Sequence, residues 1–443
     1  MQTAIFNLKA AGLSLLTLLV VPSAWSAQDL LEVYELAIQH DPQLREAEET
    51  RNAILEAGPQ SRARLLPSLA IVGALNANRF DTTNTFTQFQ FGTQYFWDSS
   101  VFLKLSQPLY HRDYWVQLSQ SENQIAQAEA EYNAEQQNLL IRTAKAYFGV
   151  LVAKDNLDVA IAEKQTIEHQ LAEMKKRLAV GSAAITDLQE AQAGYDQANV
   201  AEIDAHRKLS TAKALLSEII GSLDFQLKPL RDELPMNMPN PNNRQEWLSL
   251  SQQNNLSILA AANRAEVARK NIEIMFSGHL PTLDLVANVG VADTDRPAGL
   301  VANSQAVGLQ MNMPLYLGGS VDSKVRQAEH QYEAAKQNLD KQRRAAERQA
   351  EDAFQAIESL ISEMTALNSA EQSTKATVKG TEKGVQIGTR TMADLLAANR
   401  NLSKVQRDYA QVKYDYILNS LVLKQAAGAL SRNDLELINS WLF

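Results

Sequence analysis

The chain repeats itself. Leu65-Leu66-Pro67-Ser68-Leu69 recurs as His279-Leu280-Pro281-Thr282-Leu283, with Pro67 and Pro281 214 residues apart. Gln107-Pro108-Leu109-Tyr110 recurs as Met313-Pro314-Leu315-Tyr316, now 206 apart. Gly181 with Asp187-Leu188 recurs as Gly388 with Asp394-Leu395, and Gly221 recurs as Gly428, all at a spacing of 207. The spacing is nearly constant on each side of a hairpin, so the unit is duplicated. The difference between 214 and 206 makes the first hairpin about eight residues longer.

Prolines mark the rest of the architecture. None stands between Pro108 and Pro229, and none follows Pro314. Both stretches are rich in Ala, Gln, Glu and Lys, which are good helix formers. Leu118, Ile125, Tyr132, Leu139 and Ala146 recur at heptad spacing. The expected elements of the first repeat, 27–223, are helices 29–62, 112–178 and 183–216 and a β-hairpin 68–107. The second repeat, 244–430, is expected to hold helices 244–276, 321–385 and 391–430 and a hairpin 282–313. Residues 224–243, with Pro229, Pro235, Pro239 and Pro241, form the linker or equatorial segment, and 431–443 the C-terminal tail. A helix of about 65 residues is roughly 100 Å long. Helices of that length with heptad stripes pack side by side as coiled coils.

The first 26 residues have the form of a signal peptide. Lys9 precedes the apolar run Ala10 to Val21, and small residues follow, with the preferred cleavage after Ser26. The run is too short to span a bilayer as a helix. Removal of this leader takes only Lys9, leaving 41 basic against 51 acidic residues. An acidic exported chain is a poor nucleic-acid binder. With no cysteine, it forms no disulfide and has no cysteine to carry a lipid anchor. No other run reaches the length of a transmembrane helix, so a membrane role requires a β-barrel.

The hairpins carry that signal. Leu69, Ile71 and Leu75 alternate with Ser68, Ala70, Ala74 and Asn76; Val101, Leu103 and Leu105 alternate with Lys104 and Ser106. Leu283, Leu285, Ala287, Val289 and Val291 alternate with Asp284 and Asn288, and Val307, Leu309, Met311 and Met313 with Gly308, Gln310 and Asn312. Alternation over about ten residues suits a tilted outer-membrane strand. Six of the 12 phenylalanines lie between Phe80 and Phe102, near Tyr95 and Trp97, as in an aromatic girdle. Four strands cannot close a barrel, and an open edge in lipid leaves backbone groups unpaired. Several chains must contribute. Strand arithmetic admits two, three or four.

The chain resembles the TolC family of outer-membrane exit ducts. The resemblance rests on Gly278-His279-Leu280-Pro281-Thr282-Leu283-Asp284-Leu285, Pro314-Leu315-Tyr316-Leu317-Gly318-Gly319, Val180-Gly181 with Ala184-Ile185-Thr186-Asp187, and Ile387-Gly388-Thr389-Arg390-Thr391. Their order and the duplication match across essentially the whole mature chain. The resemblance implies a mainly α, internally duplicated chain with a small β part. Its homotrimer forms a 12-stranded outer-membrane β-barrel, with four strands per chain. A long periplasmic α-helical coiled-coil barrel continues it. The implied partners are outer-membrane lipid, a periplasmic adaptor protein and an inner-membrane transporter of ABC, RND or MFS type.

The same resemblance implies a gate at the far tip. Arg390 would pair with Asp187, or with the Thr186 carbonyl, of the facing hairpin. Asp394 matches the family's pore-lining acidic residue. The turns at Gly181, Ser182 and Ala183 and at Gly388 and Thr389 would dock the adaptor. Two positions depart from the pattern: Ala397 replaces a second aspartate, and Val385 replaces a tyrosine that joins the latch.

Chemistry is not signalled. The histidines at 40, 111, 169, 206, 279 and 330 have no metal-ligand spacing. There is no phosphate loop and no nucleophile elbow. No enzyme activity and no cofactor are therefore expected. A periplasmic adaptor would carry one helical hairpin flanked by soluble β domains, and an enzyme with a coiled-coil stalk would need a compact domain; the duplicated pattern fits neither.

Overall fold

A computed structural model describes residues 27–82, 92–222, 225–231, 234–295 and 299–443. The expected leader, Phe86, Phe89 and Phe91 of the aromatic cluster, and part of the linker lie outside these residues. In the first repeat, α1 (Leu30–His40), α2 (Pro42–Leu55) and α3 (Ala57–Ala63) precede β1 (Ser68–Thr82) and β2 (Gly92–Tyr110). The long helices α4 (Arg112–Ala179) and α5 (Ile185–Ile220) follow. In the second, α6 (Arg244–Asn254) and α7 (Leu256–Phe276) precede β3 (Thr282–Thr294) and β4 (Leu300–Asn312), then α8 (Ser320–Gln386) and α9 (Met392–Ala426). A last helix, α10 (Arg432–Asn439), occupies the tail.

The leading helices differ from expectation. Residues 29–62 are not one helix, because Asp41 turns extended (ψ 118°) ahead of Pro42. Its carboxylate accepts from the Leu44 N–H (2.7 Å), capping α2, with Pro42 at the first helical position. A second, milder break falls at Glu56. Residues 244–276 break at Asn255, which is also extended. Its side-chain oxygen accepts from the amides of Ser257 (3.0 Å) and Ile258 (3.3 Å). Asp41 and Asn255 are 214 apart, the spacing of Pro67 and Pro281. The duplication therefore extends into the short helices. The last long helix ends at Ala426 rather than 430, because Gly428 turns left-handed (φ +66°). A Cβ there would stand 2.1 Å from the Asn254 carbonyl oxygen.

The four strands form one antiparallel sheet in the order β1-β2-β3-β4. The register aligns Leu69, Leu105, Ala287 and Val307, then Ile71, Leu103, Val289 and Gln305, on one face. Ser68, Ser106, Lys104, Asn288 and Ser304 stand on the other. The apolar face is bare within the chain: Ile71 is 76% exposed and Val307 78%. Tyr95 and Trp97 share this face. Phe96 and Phe102 have the opposite parity, and Phe102 lies over Gly290, where an added Cβ would come within 2.5 Å of its ring. The two sets split because strand side chains alternate faces. β1 and β4 are the two edges.

The main core sits at mid-height on the long helices. Leu139, Tyr147 and Phe148 of α4 are buried there with Leu216 of α5, Ile357 of α8 and Ile417 of α9. The linker, Gln28 and the C-terminal tail wrap it. Gln28 bridges to Leu227, and Leu230 to Leu442. The Tyr147 hydroxyl donates to the Lys228 carbonyl (2.8 Å), and the Tyr416 hydroxyl donates to the Asn237 carbonyl (2.8 Å) and accepts from its amide (3.0 Å). Arg142 joins this layer to α2 through Asp41 (2.9 Å) and to Glu135 (2.8 Å).

Burial pushes the Asp41 carboxyl up, but Arg142 and the Leu44 amide outweigh it and hold it below its ordinary value. A depressed carboxylate contributes stability that is full above its unfolded pKa and is lost as pH falls through the folded one. Asp41→Asn should lower thermal stability at neutral pH and flatten the acid side of the stability profile, as read by unfolding in detergent at graded pH. On the sheet, Val289→Lys should cost about 2–4 kcal/mol if that face meets lipid. Ser304→Lys on the other face should insert at the wild-type level in a membrane-insertion assay.

Candidate functional site at the helical tips

The two long hairpins end in matching turns. α4 closes on Gly181 (φ +73°), with the Ser182 amide donating to the Arg177 carbonyl (2.9 Å) and the Gly181 amide to that of Leu178 (3.0 Å). α8 closes on Gly388 (φ +78°), with the Thr389 amide donating to the Gly384 carbonyl (2.8 Å). These are left-handed C-terminal caps in which glycine carries no Cβ penalty. Nothing lies within 4 Å of a Cβ built on either glycine, so both turns are open to the outside. Beside them Val180 is 78% exposed and Ile387 76%, at equivalent positions of the repeats.

The next helices start alike. The Ala184 amide donates to the Asp187 carboxylate (3.3 Å) at the head of α5. At the head of α9 the exchange is reciprocal: the Asp394 amide donates to the Thr391 hydroxyl oxygen (3.1 Å), and the Thr391 amide donates to the Asp394 carboxylate (3.0 Å). This is a capping box. The Thr391 amide and hydroxyl, with Arg390 nearby, hold the Asp394 carboxyl below its ordinary value. It stays ionised into acid, and its capping contribution is lost only as pH falls through that depressed pKa.

The two hairpins of one chain meet below the turns. Ile167, Leu171 and Met174 of α4 and Ala191 of α5 pack with Val385, Met392, Leu395 and Leu396 of α8 and α9. Gly194 permits the contact, since a Cβ there would lie 2.9 Å from Leu396. Arg400 donates to Gln197 across the same seam. Val385 is thus a core residue of the tip; its carbonyl accepts from Arg177 (3.4 Å). Ala397 is exposed.

The structure brings Gly181, Ser182, Ala183, Gly388 and Thr389 together at one end of the chain. It places Thr186 and Asp187 in the first turn of α5, and Arg390 just ahead of α9. Among the described residues, no ion pair joins Asp187 to Arg390 within one chain; Arg390 is exposed, and its backbone amide donates to the Gly384 carbonyl (3.2 Å). Arg177 and Gly384 are the tip residues that motif reasoning passed over, and Val180, Ile387 and Thr391 stood within the motifs without a role of their own. The 207-residue repeat already set Val180 against Ile387.

A bare apolar sheet with two open edges, set above two tall helical hairpins and repeated within one chain, defines an outer-membrane exit duct. The family model described as outer membrane efflux protein matches residues 33–222 and 247–429. The chain is 36% identical over 425 residues to the outer membrane protein TolC of Vibrio cholerae serotype O1, covering 95% of each. It is 30% identical over 439 residues to the proteases secretion protein PrtF of Dickeya chrysanthemi, covering 96% of this chain and 94% of that one. The outer membrane protein VceC from Vibrio cholerae superposes with a TM-score of 0.76 at 19% identity, over 90% of this chain and 96% of that structure. The chain belongs to the outer membrane efflux protein family. Its four strands are one third of the trimeric barrel, and the long helices continue the duct into the periplasm.

Removing the cap at α9 tests the local geometry. Thr391→Ala should cost about 1 kcal/mol. Amide exchange at Asp394 should speed up severalfold, with exchange at mid-height unchanged.

Proposed function

We propose that this exit duct is shut at its periplasmic tip by links between neighbouring chains and opened when a periplasmic adaptor docks on the turns. Arg390 of one hairpin pairs with Asp187, or with the Thr186 carbonyl, of the facing one. Three Asp394 side chains line the constriction and favour cations. The adaptor engages Gly181, Ser182 and Ala183 together with Gly388 and Thr389, and couples the duct to an inner-membrane transporter of ABC, RND or MFS type. Exported cargo then crosses periplasm and outer membrane in one passage.

The observation that carries this reading is the state of Arg390. Its neighbours Asp394 and Thr391 satisfy each other within the chain, whereas its guanidinium stands exposed without an ion pair among the described residues. An exposed pair contributes about 0–1 kcal/mol. Three such pairs hold a closed tip yet yield to a docking partner. The exposed Val180 and Ile387 supply the apolar contact that such a partner needs. Val385, buried in the tip, cannot act as a latch side chain, so fewer links hold this tip.

Single-channel conductance in a planar bilayer tests the gate. Arg390→Ala should raise a small wild-type conductance, and Asp394→Ala should weaken block by divalent cations. Unchanged conductance in Arg390→Ala would remove the latch. Val180→Ser combined with Ile387→Ser should abolish export in cells while leaving conductance at the wild-type level; normal export would remove the docking site.

A further inference from the structure

We infer that Gly384 is the positioning residue of the gate: it is the seat that fixes the stem of Arg390. The inference rests on the latch proposed above and adds what aims it.

Gly384 lies in the last turn of α8 and is buried, although it sits beside exposed residues. A Cβ built there would stand 2.7 Å from Arg390 Cγ, 3.1 Å from Arg390 Cβ and 3.3 Å from Thr389 Oγ1. Real Cβ atoms essentially never come within 3.0 Å of another heavy atom, so the contact with Cγ cannot stand, and the other two are tight. The atoms in the way are the root of the arginine rather than its flexible end, so the whole side chain would have to swing aside. The Gly384 carbonyl also gathers three donors: the amides of Thr389 (2.8 Å) and Arg390 (3.2 Å) and the Thr389 hydroxyl (3.2 Å). One residue thus places Arg390 twice, holding its backbone through the carbonyl and leaving its stem the space that a side chain would fill.

The internal duplication supplies a control. At the spacing of 207, Gly384 corresponds to Arg177 and Arg390 to Ala183. In the first turn the large residue stands on the helix and the small one in the turn. In the second the order is reversed. The Arg177 carbonyl accepts from the Ser182 amide (2.9 Å) and hydroxyl (3.0 Å), much as that of Gly384 accepts from Thr389. The Arg177 guanidinium leaves its own turn and donates to the Val385 carbonyl (3.4 Å). The backbone caps are alike, so a glycine is not needed at 384 to close the turn. It is needed where the arginine comes from the turn. Helix propensity alone argues against Gly here, since alanine is the better helix former.

The test uses the full chain in bilayers. Gly384→Ala adds one methyl group and keeps every charge. It should raise conductance most of the way to the Arg390→Ala level. The double variant should be no more open than Arg390→Ala alone, because both act on one contact. Gly380→Ala, one turn earlier with open space around it, should match wild type. Wild-type conductance in Gly384→Ala beside an open Arg390→Ala would overturn the seat while leaving the latch. If Arg390→Ala itself is unchanged, the latch fails, and hydrogen exchange decides the seat. Faster exchange of the Thr389 and Arg390 amides in Gly384→Ala than in Gly380→Ala supports it, and equal rates overturn it.

Discussion

The unpaired edges of the sheet govern the rest of the structure. β1 and β4 each end the sheet with a row of backbone donors and acceptors. In hydrocarbon no water satisfies them, so the only stable arrangement is closure. Closure requires other copies, because four strands are too few to surround anything. The apolar side chains of Leu69, Ile71, Leu103 and Val307 are stable only once lipid covers them. Trimer, barrel and membrane location therefore stand on one condition.

The helices inherit that symmetry. Each hairpin of strands returns the chain to the same level, and a long helical hairpin descends from it: α4 with α5, and α8 with α9. The helices are too long for one hydrophobic core, and burial is divided among a mid-height layer, a small cluster of Leu157, Ala160 and Ala205, and a cluster at the tip. The mid-height layer is tied by buried tyrosines and by Arg142 between Asp41 and Glu135. The tip cluster is smaller and is built largely from Ala, Leu and Met. A weakly packed end on a firmly belted shaft is where a gate can move without unfolding the duct.

Much of this was legible in sequence because it depends on period and spacing. Proline-free stretches announced the long helices, alternation announced the strands, and the shift from 214 to 206 separated the hairpins by length. What escaped was decided by single residues. Asp41-Pro42 is a cap followed by a proline, and it breaks the helix expected over 29–62. Asn255 does the same in the second repeat with no proline to mark it. The tail helix was missed because α10 is short and packs on α1, far off in sequence, while Trp441 and Phe443 just beyond it bond to the linker. At the tip, the motif named Arg390 and Asp394, but not the contact beneath them. Gly384 read as an ordinary helix end and Val385 as a lost latch position, and only the fold shows Arg390 packed close against the first and the second as core.

Closure by three copies is the claim on which the account stands. The chain has no cysteine, so introduced ones report cleanly. Single cysteines placed in turn at Leu69, Ala70, Ile71, Val72, Gly73, Ala74 and Leu75 of β1 would each be combined with one at Val307 of β4. Each protein would be oxidised in the outer membrane and separated under denaturing conditions. The account predicts that at least one pair gives a covalent ladder ending at three chains. A ladder ending at two or four, or no cross-link at any position, would contradict it.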